Sequence, residues 1–291
     1  MRAGLLDGQE TARAIREELK FEVAEILKSK GIVPKLAAVL VGDDPASDAY
    51  VSMKGKACKW VGVESETFRL PKDSTQEEVE SLIDRLNADR TVSGVLIQHP
   101  VPKHLDEMAI LARLEVEKDV DGISRNSLGS LITGRKAFKS CTPLGIIELL
   151  QRYKVAIEGK HAVVIGRSII LGKPMAHLLL DLNATVTICH SRTIDLGSFT
   201  RQADILVAAV GRPELITGNM IKPGAVVVDA GYNRVAGRSG DIGDVEFESA
   251  SKVASLITPV PGGVGPMTIA MLLRNTIEAA NQFGNGVLVE N

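Results

Sequence analysis

The chain has 291 residues, enough for about two domains of ordinary size. Its 34 basic and 36 acidic residues leave a formal net charge of −2, which excludes a strongly basic nucleic-acid-binding protein and a polyacidic tail protein. Hydrophobic residues make up 45% and aromatic residues 3%, so the chain is expected to fold and to lack an aromatic platform for single-stranded nucleic acid.

Short β-branched runs alternate with longer helical stretches along the whole chain. The predicted strands are Lys35–Val41, Gly94–Gln98, His161–Ile165, Thr185–Cys189, Asp204–Val210, Ala225–Asp229 and Leu256–Pro259. The predicted helices are Gly8–Lys28, Ala46–Val61, Thr75–Ala88, Leu105–Leu114, Pro143–Arg152, Lys173–Leu182 and Pro266–Gln282. Most of the strands are continuous apolar runs, typical of a parallel sheet with helices on both faces. The alternation therefore predicts an α/β fold.

The strands after residue 160 recur at the spacing of a dinucleotide-binding domain. We therefore predict two domains. An N-terminal α/β substrate domain covers residues 1–142, and a Rossmann-like domain with a parallel sheet covers residues 143–265. The last helix, at about 266–291, is expected to return to the first domain.

Cysteine, metal, targeting and membrane signals are weak. Cys58, Cys141 and Cys189 are far apart and form no CxxC pair, so we expect free thiols in a reducing, cytoplasmic compartment. The five histidines lack HExxH or similar spacing, so no metal site is predicted. Apolar runs such as Leu36–Val41 are far shorter than the ~18 residues of a membrane span, and the N-terminus lacks the apolar core of a signal peptide.

A glycine-bearing turn between a strand and a helix is a candidate nucleotide site. The buried-strand pattern His161–Ile165 runs into Gly166, Arg167 and Ser168, and Pro174 marks the first turn of the next helix. Amides at such a helix start can hold a pyrophosphate, helped by the helix dipole. The spacing is not GxGxxG, however, and an ordinary strand-to-helix turn fits the same residues.

The next strand indicates which dinucleotide would bind. Enzymes that use NAD usually place an acidic residue there, which accepts a hydrogen bond from the ribose 2′-hydroxyl. Here Thr185–Cys189 is followed by Ser191 and Arg192, and the preceding turn offers Arg167. A hydroxyl and guanidinium charge suit a 2′-phosphate, so the sequence favours NADP over NAD. A solvated loop is the other interpretation.

The helix Ala46–Val61 carries the first candidate catalytic residues. Its predicted buried stripe consists of Ala49, Met53, Ala57, Trp60 and Val61. Tyr50 and Lys54 are four residues apart and share a face one position round from that stripe. A partly buried lysine has a lowered pKa, which suits a general base. A surface lysine whose stem lies along the helix fits the same spacing.

Two polar motifs lie near the end of the strand Gly94–Gln98. Gln98, at a C-terminal strand end, points toward the usual ligand crevice of α/β proteins, although a strand cap without a role fits as well. In the run Lys118–Gly122, one of the carboxylates of Asp119 and Asp121 could face a pocket and accept from a ring amide and an amino group. An ordinary Asp-Gly turn also accounts for this run.

The run TPVPGGVGPMT, residues 258–268, is the densest proline and glycine stretch of the chain. Prolines fix φ, and glycines allow the backbone to approach a ligand closely. Because the run follows a strand and precedes a helix, we predict a binding loop rather than a flexible linker.

Together these segments resemble the bifunctional methylenetetrahydrofolate dehydrogenase/cyclohydrolase family. The resemblance covers most of the chain, from about Gly42 to Thr268, in the pieces VGDDPASDAYVSMKGKA, GVLIQHPVP, KDVDG, CTPLG, VVIGRSIILGKP, CHSRT, GDV and TPVPGGVGPMT. It implies oxidation of 5,10-methylenetetrahydrofolate by NADP⁺ and then hydrolysis of the 5,10-methenyl cation to 10-formyltetrahydrofolate, without a metal. It also implies a folate-binding first domain, an NADP-binding second domain and a homodimer formed through the second.

The resemblance also implies roles for single residues. Lys54 handles the proton transfers of the hydrolysis, Gln98 hydrogen-bonds Lys54, Tyr50 packs over the folate and orients Lys54, and Asp121 accepts from the pterin. Further folate contacts fall on Pro259, Gly262 and Gly263. The NADP contacts fall on Gly166, Arg167, Ser168, Ser191, Arg192 and Tyr232.

Three segments depart from the pattern of the family that the chain resembles. Ile123-Ser124-Arg125 replaces Phe-His-Pro, His99 replaces a leucine, and Tyr232 replaces an isoleucine.

Three other functions stay open. They are a dehydrogenase-only folate enzyme, another two-domain NADP oxidoreductase such as one acting on shikimate, and a non-catalytic nucleotide sensor. Retention of Tyr50, Lys54 and Gln98 favours the bifunctional enzyme.

Overall fold

The structure is a computed structural model that describes residues 2–235, 237–238 and 240–288. The helices are α1 (Gly8–Lys30), α2 (Pro45–Val61), α3 (Gln76–Ala88), α4 (Glu107–Arg113), α5 (Arg125–Ile132), α6 (Cys141–Arg152), α7 (Gly172–Asp181), α8 (Leu196–Thr200), α9 (Phe247–Ala250) and α10 (Val264–Phe283). The strands are β1 (Gly4–Leu5), β2 (Ile32–Val33), β3 (Lys35–Val41), β4 (Glu64–Leu70), β5 (Gly94–Ile97), β6 (His161–Ile165), β7 (Thr185–Cys189), β8 (Ile205–Ala208), β9 (Val226–Asp229), β10 (Asn233–Arg234), β11 (Asp241–Ile242), β12 (Leu256–Ile257) and β13 (Val287–Leu288).

The chain divides into two compact units. The N-terminal unit comprises Ala14–Cys141 and the chain from Ile269 onward, and the central unit comprises Thr142–Thr268 and the chain up to Arg13. The sequence-based boundaries put residues 1–13 in the first domain, whereas the division puts them in the central unit because β1 pairs with β12 there. The last helix ends at Phe283, and residues 289–291 of the predicted helix lie outside the described residues.

The central unit is built on a six-stranded sheet in the order β1-β12-β9-β8-β6-β7. Every neighbouring pair is parallel, which confirms the predicted parallel sheet. Alternate strand residues such as Val163 and Ile165 pack into one core with α8 and α9. Ala162 and Val164 are equally buried, so both faces of the sheet are covered.

Parallel pairing brings the strand ends of the central unit to one edge. The four consecutive strands β6–β9 follow the order 2-1-3-4, and the chain reverses direction across the sheet between β6 and β8. Doubly wound folds bind ligands outside the carboxyl ends of the strands at such a reversal. The register pairs Ile165 with Cys189, so the segments after β6 and β7 emerge side by side.

The N-terminal unit contains a smaller parallel sheet in the order β4-β3-β5. A bridge between Val95 and Asp119 extends this sheet beyond β5, so the segment with Asp121 leaves the same edge as Gln98. Ala37, Val39 and the apolar faces of α3 and α4 form the core on one side.

Three observations concern the cysteines, membrane spans and metal-binding groups considered in the sequence. Cys58, Cys141 and Cys189 are buried free thiols. Within the described ranges, no helix has both the length and the apolar character needed to cross a membrane. Nor do the described residues bring three histidine, cysteine or acidic side chains into a metal-binding group.

Candidate active site

Lys54 and Gln98 meet at the C-terminal edge of the small sheet. The Nζ of Lys54 donates a hydrogen bond to Oε1 of Gln98 at 3.0 Å. Gln98 is buried, and its Nε2 donates to the backbone oxygen of His99 at 2.7 Å. That second bond fixes the orientation of the amide, so its oxygen is presented to Lys54.

Helix α2 carries Lys54 on its buried face, which differs from the predicted stripe. The buried residues of the helix are Ser47, Val51, Ala57, Cys58 and Val61. Lys54 stands three residues after Val51 and four before Cys58, in line with them. Met53 and Trp60, predicted inside, are 51% and 42% exposed. The helix is therefore rotated from the predicted orientation, and the half-buried Lys54 lies in line with its buried residues.

The structure distinguishes the two carboxylates of Lys118–Gly122. Asp119 is buried and accepts from the backbone amides of Gly122 at 3.0 Å and Ser124 at 2.8 Å, so it forms the turn. Asp121 instead interacts electrostatically with Lys54, whose positive charge partly opposes the rise that burial causes in the pKa of the Asp121 carboxyl. The turn interpretation therefore holds for Asp119, and the pocket interpretation fits Asp121.

Burial shifts the pKa of both charged groups toward neutrality. It lowers the pKa of the Lys54 amine below its usual 10.5, and the negative charge of Asp121 partly opposes the shift. Burial raises the pKa of the Asp121 carboxyl above its usual 3.8, and Lys54 opposes that shift. Around them, burial also raises the pKa of the Cys58 thiol to about 12 and that of Cys141 well above its usual value. Lys54 therefore has the environment of a general base.

Asn275 of α10 fixes the backbone beside Asp121. This buried amide donates from Nδ2 to the carbonyl oxygens of Val120 at 2.8 Å and Lys139 at 3.2 Å. The thiol of Cys141 donates to the same Val120 oxygen at 3.3 Å. Sequence reasoning missed Asn275, because a lone asparagine in a helix carries no motif. Cys141 belongs to the CTPLG run, which is the signal that could have found it.

Other positions of the N-terminal unit that the sequence singled out lie close in sequence to Lys54, Gln98 and Asp121. Tyr50 is 38% exposed and precedes Lys54 by one helical turn. His99 bonds Glu107 through Nδ1 at 2.5 Å, and its Nε2 is buried without a hydrogen-bond partner. In the segment Ile123-Ser124-Arg125, which departs from the family pattern, Ile123 lies in the core. Ser124 caps α5, because its Oγ accepts from the amide of Ser127 at 3.2 Å.

The turn after β6 is built for close approach. Gly166 has φ +128°, and a Cβ there would lie 2.2 Å from the carbonyl oxygen of Ala209. A Cβ on Gly172 would lie 2.3 Å from the carbonyl oxygen of Gly166. Oγ of Ser168 accepts from the amide of Gly172 at 3.3 Å, which closes the turn onto the start of α7. Both glycines are thus required by close packing of the backbone within the turn, and a glycine turn that closes onto a helix start is an arrangement that can hold a pyrophosphate.

The turn after β7 lies alongside. The amide of His190 donates to Oγ1 of Thr193 at 2.8 Å, and the amide of Arg192 donates to Nδ1 of His190 at 3.1 Å. Ser191 and Arg192 are exposed on this tight turn. They follow Cys189 just as Arg167 follows its register partner Ile165, so the structure brings a hydroxyl and two guanidinium groups to one edge.

Tyr232 and the Pro-Gly loop complete the central unit. Tyr232 is exposed two residues after Ala230, beyond β9. The carbonyl oxygen of Gly262 accepts from the amide of Gln9 at 2.9 Å, and a Cβ on Gly8 would lie 1.7 Å from the carbonyl oxygen of Gly263. Part of the glycine content of this loop is thus explained by packing against the start of α1. The predicted folate contacts of this loop stay predictions.

Comparisons with known proteins agree over nearly the whole chain. The catalytic-domain model of tetrahydrofolate dehydrogenase/cyclohydrolase matches residues 6–121, and its NAD(P)-binding-domain model matches residues 140–283. The bifunctional protein FolD of Moorella thermoacetica is 56% identical over 282 residues, which cover 97% of this chain and 100% of that protein.

Solved structures agree as well. The bifunctional methylenetetrahydrofolate dehydrogenase/cyclohydrolase of Campylobacter jejuni has a TM-score of 0.94 at 48% identity, covering 97% of this chain and 99% of its own. The corresponding enzyme of Trypanosoma brucei, complexed with NADP and an inhibitor, has a TM-score of 0.93 at 39% identity and covers 98% of this chain and 99% of its own.

Proposed function

Because this chain belongs to the tetrahydrofolate dehydrogenase/cyclohydrolase family, we propose that its own residues carry out two successive reactions on folate. The chain is a bifunctional enzyme that oxidises 5,10-methylenetetrahydrofolate to the 5,10-methenyl cation with NADP⁺ and hydrolyses the cation to 10-formyltetrahydrofolate. The observation that carries the proposal for its residues is the half-buried Lys54, which is hydrogen-bonded to Gln98 and interacts electrostatically with Asp121.

Lys54 is the proton-transfer residue of the hydrolysis. With its pKa lowered by burial, the amine accepts a proton from the water that adds to the methenyl carbon. The same proton then passes to N5 as the bond between N5 and the carbon breaks, while the hydroxyl of the adduct releases its own proton to solvent and becomes the formyl oxygen. Gln98 holds the amine in place through Oε1, and Tyr50 packs over the folate ring.

Asp121 recognises the pterin. Its partly desolvated carboxylate accepts hydrogen bonds from the ring N–H and the amino group in a bidentate arrangement. Pro259, Gly262 and Gly263 are proposed to form another part of the folate wall.

The central unit holds the cofactor. NADP⁺ supplies the hydride acceptor of the first reaction. Gly166 and Ser168 form the pyrophosphate turn, and Arg167, Ser191 and Arg192 match a 2′-phosphate, because no carboxylate stands where an NAD enzyme would place one. Tyr232 is proposed to contact the cofactor beyond β9.

The exposed edge of the large sheet supports a homodimer. Strand β7 is an outer strand, and its Ile188 is 43% exposed. Ile194, beyond the turn that follows the strand, is 89% exposed. An apolar edge strand is a common pairing surface for a second copy of the same chain. The three buried free thiols support a reducing compartment such as the cytoplasm.

One experiment tests both reactions on one sample. Addition of 5,10-methylenetetrahydrofolate with NADP⁺ or NAD⁺, followed through the reduced nicotinamide, is expected to show turnover with preference for NADP⁺. Separate addition of the methenyl compound is expected to show hydrolysis. A dehydrogenase without hydrolysis would contradict the role of Lys54, preference for NAD⁺ would contradict the 2′-phosphate site, and turnover of shikimate alone would contradict both.

A further inference from the structure

One fully buried carboxylate of the central unit has no part in the chemistry above. Asp244 is 0% exposed and belongs to the GDV run after β11. Its Oδ2 accepts from the amides of Val210 at 2.6 Å and Gly211 at 3.0 Å. Its Oδ1 accepts from the amide of Arg212 at 2.9 Å and from Nδ2 of Asn233 at 2.9 Å. Three successive amides thus converge on one carboxylate, as backbone segments do on a bound anion.

A second buried carboxylate fastens the same region. Oδ1 of Asp229 accepts from the amides of Gly231 at 2.8 Å and Asp244 at 2.9 Å. Gly231 and Asn233 are the two chain neighbours of Tyr232. The residue before Tyr232 is therefore held through its backbone amide and the residue after it through its side-chain amide, each by one of these carboxylates.

The segments that are hydrogen-bonded to Asp244 and Asp229 lie on one side of the turn after β6. Val210–Arg212 follows β8 and Tyr232 follows β9, whereas Ser191 and Arg192 follow β7. In the strand order β9-β8-β6-β7, the turn after β6 lies between these two groups. If Ser191 and Arg192 receive the adenosine 2′-phosphate, the nicotinamide half of the cofactor extends toward Val210–Arg212 and Tyr232.

We propose that Asp244 is a positioning residue for the nicotinamide half of NADP, acting through Val210–Arg212 and Tyr232. The proposal rests on the NADP site proposed above. Without the carboxylate, three backbone amides lose their charged acceptor and must find new partners. The two segments then lose the geometry in which they border the cofactor, while the turn after β7 keeps its own hydrogen bonds.

The test compares two ligands on a near-isosteric variant. Equilibrium binding of NADP⁺ and of 2′,5′-ADP, which lacks the nicotinamide half, is measured by calorimetry on the wild type and Asp244→Asn. The Kd for NADP⁺ is expected to rise about tenfold, the equivalent of one buried hydrogen bond, while the Kd for 2′,5′-ADP stays within about twofold. Hydrolysis of the methenyl compound without cofactor is expected to persist.

Asp204→Asn is the matched control. Asp204 also accepts from a backbone amide, that of His161 at 3.0 Å, and from Nζ of Lys222 at 2.7 Å, but it lies at the opposite, amino end of the same sheet. The control variant is expected to keep the wild-type Kd for both ligands. Equal weakening of both ligands by Asp244→Asn, or no weakening of either, overturns the proposal.

Other outcomes are separable. If the wild type binds neither ligand, the proposed cofactor site itself fails. If Asp244→Asn does not fold, Asn233→Ala decides, because it removes one partner of the carboxylate and keeps the charge. That variant is expected to weaken NADP⁺ selectively, and equal affinity of variant and wild type for NADP⁺ overturns the proposal.

Discussion

The amine of Lys54 lies 3.0 Å from Oε1 of Gln98, although 44 residues separate the two in the chain. The carbonyl of the Gln98 amide can accept from either protonation state of the amine, and its NH₂ group is held by the backbone of His99. The contact therefore orients Lys54 throughout a cycle of proton uptake and release.

Replacement of Lys54 by methionine is expected to abolish the hydrolysis while NADP binding persists. Methionine keeps much of the side-chain length but has no basic nitrogen, and loss of a general base typically costs about 10²- to 10⁴-fold in rate. Hydrolysis of the methenyl compound and NADP⁺ affinity are the two measurements. Lys56→Met, on the exposed part of the same helix, is the control and is expected to hydrolyse normally. Normal hydrolysis by Lys54→Met would remove Lys54 from the mechanism.

The pH dependence of the hydrolysis is expected to shift when Asp121 becomes asparagine. The active form of Lys54 is the neutral amine, so kcat rises as pH rises through its pKa. Burial lowers that pKa and the Asp121 charge raises it, so Asp121→Asn lowers it further and moves the rising limb to lower pH. The measurement is kcat against pH at saturating methenyl compound. A shift of the limb to higher pH, or an unchanged limb, would contradict the pairing of these residues.

Five of the six strands of the central sheet, all except β1, were predictable from sequence because their signal is local. The predicted bounds of β6 and β7 match the structure, since continuous apolar runs are sufficient to define a strand buried on both faces. The pattern does not predict β4, Glu64–Leu70, because this edge strand is largely exposed and carries charged residues. Its stability depends on pairing with β3 and on contacts such as the 2.7 Å ion pair between Lys35 and Glu66.

The active site was predictable only in part. Lys54 and Gln98 stand out by position in their elements, but the orientation of α2 depends on its neighbours, because both faces of the helix carry apolar residues. Trp60 was expected in the core, and instead its ring lies at the surface with Nζ of Lys20 5.4 Å away. The bond from Asn275 to Val120 joins positions 155 residues apart, and no local pattern encodes such a contact.

Cofactor preference is expected to depend on Ser191. An aspartate at this position would repel a 2′-phosphate and accept from a ribose 2′-hydroxyl, so Ser191→Asp is expected to reduce kcat/KM with NADP⁺ by about tenfold or more. The measurement is dehydrogenase kcat/KM with each dinucleotide. Thr185→Asp places the same charge at the other end of β7 and is the control. Unchanged preference for NADP⁺ in Ser191→Asp would place the phosphate elsewhere.

The proposed homodimer is expected to depend on the β7 edge. Ile188→Lys puts a charge on the exposed apolar face of that strand, and edge charges discourage pairing of strands. Sedimentation of the variant is expected to show monomers at concentrations where the wild type is dimeric. Phe21→Lys changes a more exposed apolar residue, on α1, and is expected to leave the dimer intact. A dimeric Ile188→Lys variant would show that the dimer forms through another surface.

Asp229 is expected to titrate near pH 6. Burial raises the pKa of its carboxyl from the usual 3.8 to about 6, hydrogen bonds from three amides oppose that shift, and the Asp244 charge adds to it. Between these values the folded chain holds a proton that the unfolded chain has released, so this group favours the folded state below pH 4 and loses that contribution as pH rises through 6. Two pKa units correspond to about 3 kcal/mol.

Carbon-13 spectra of aspartate carboxyl groups test this directly. Comparison with Asp229→Asn identifies the resonance, whose midpoint is expected near pH 6 in the wild type. Asp244→Asn is expected to move that midpoint downward, because it removes a neighbouring negative charge. A wild-type midpoint near 4 would mean that the amide hydrogen bonds outweigh burial, and Asp229 would then be ionised throughout the range in which the enzyme is assayed.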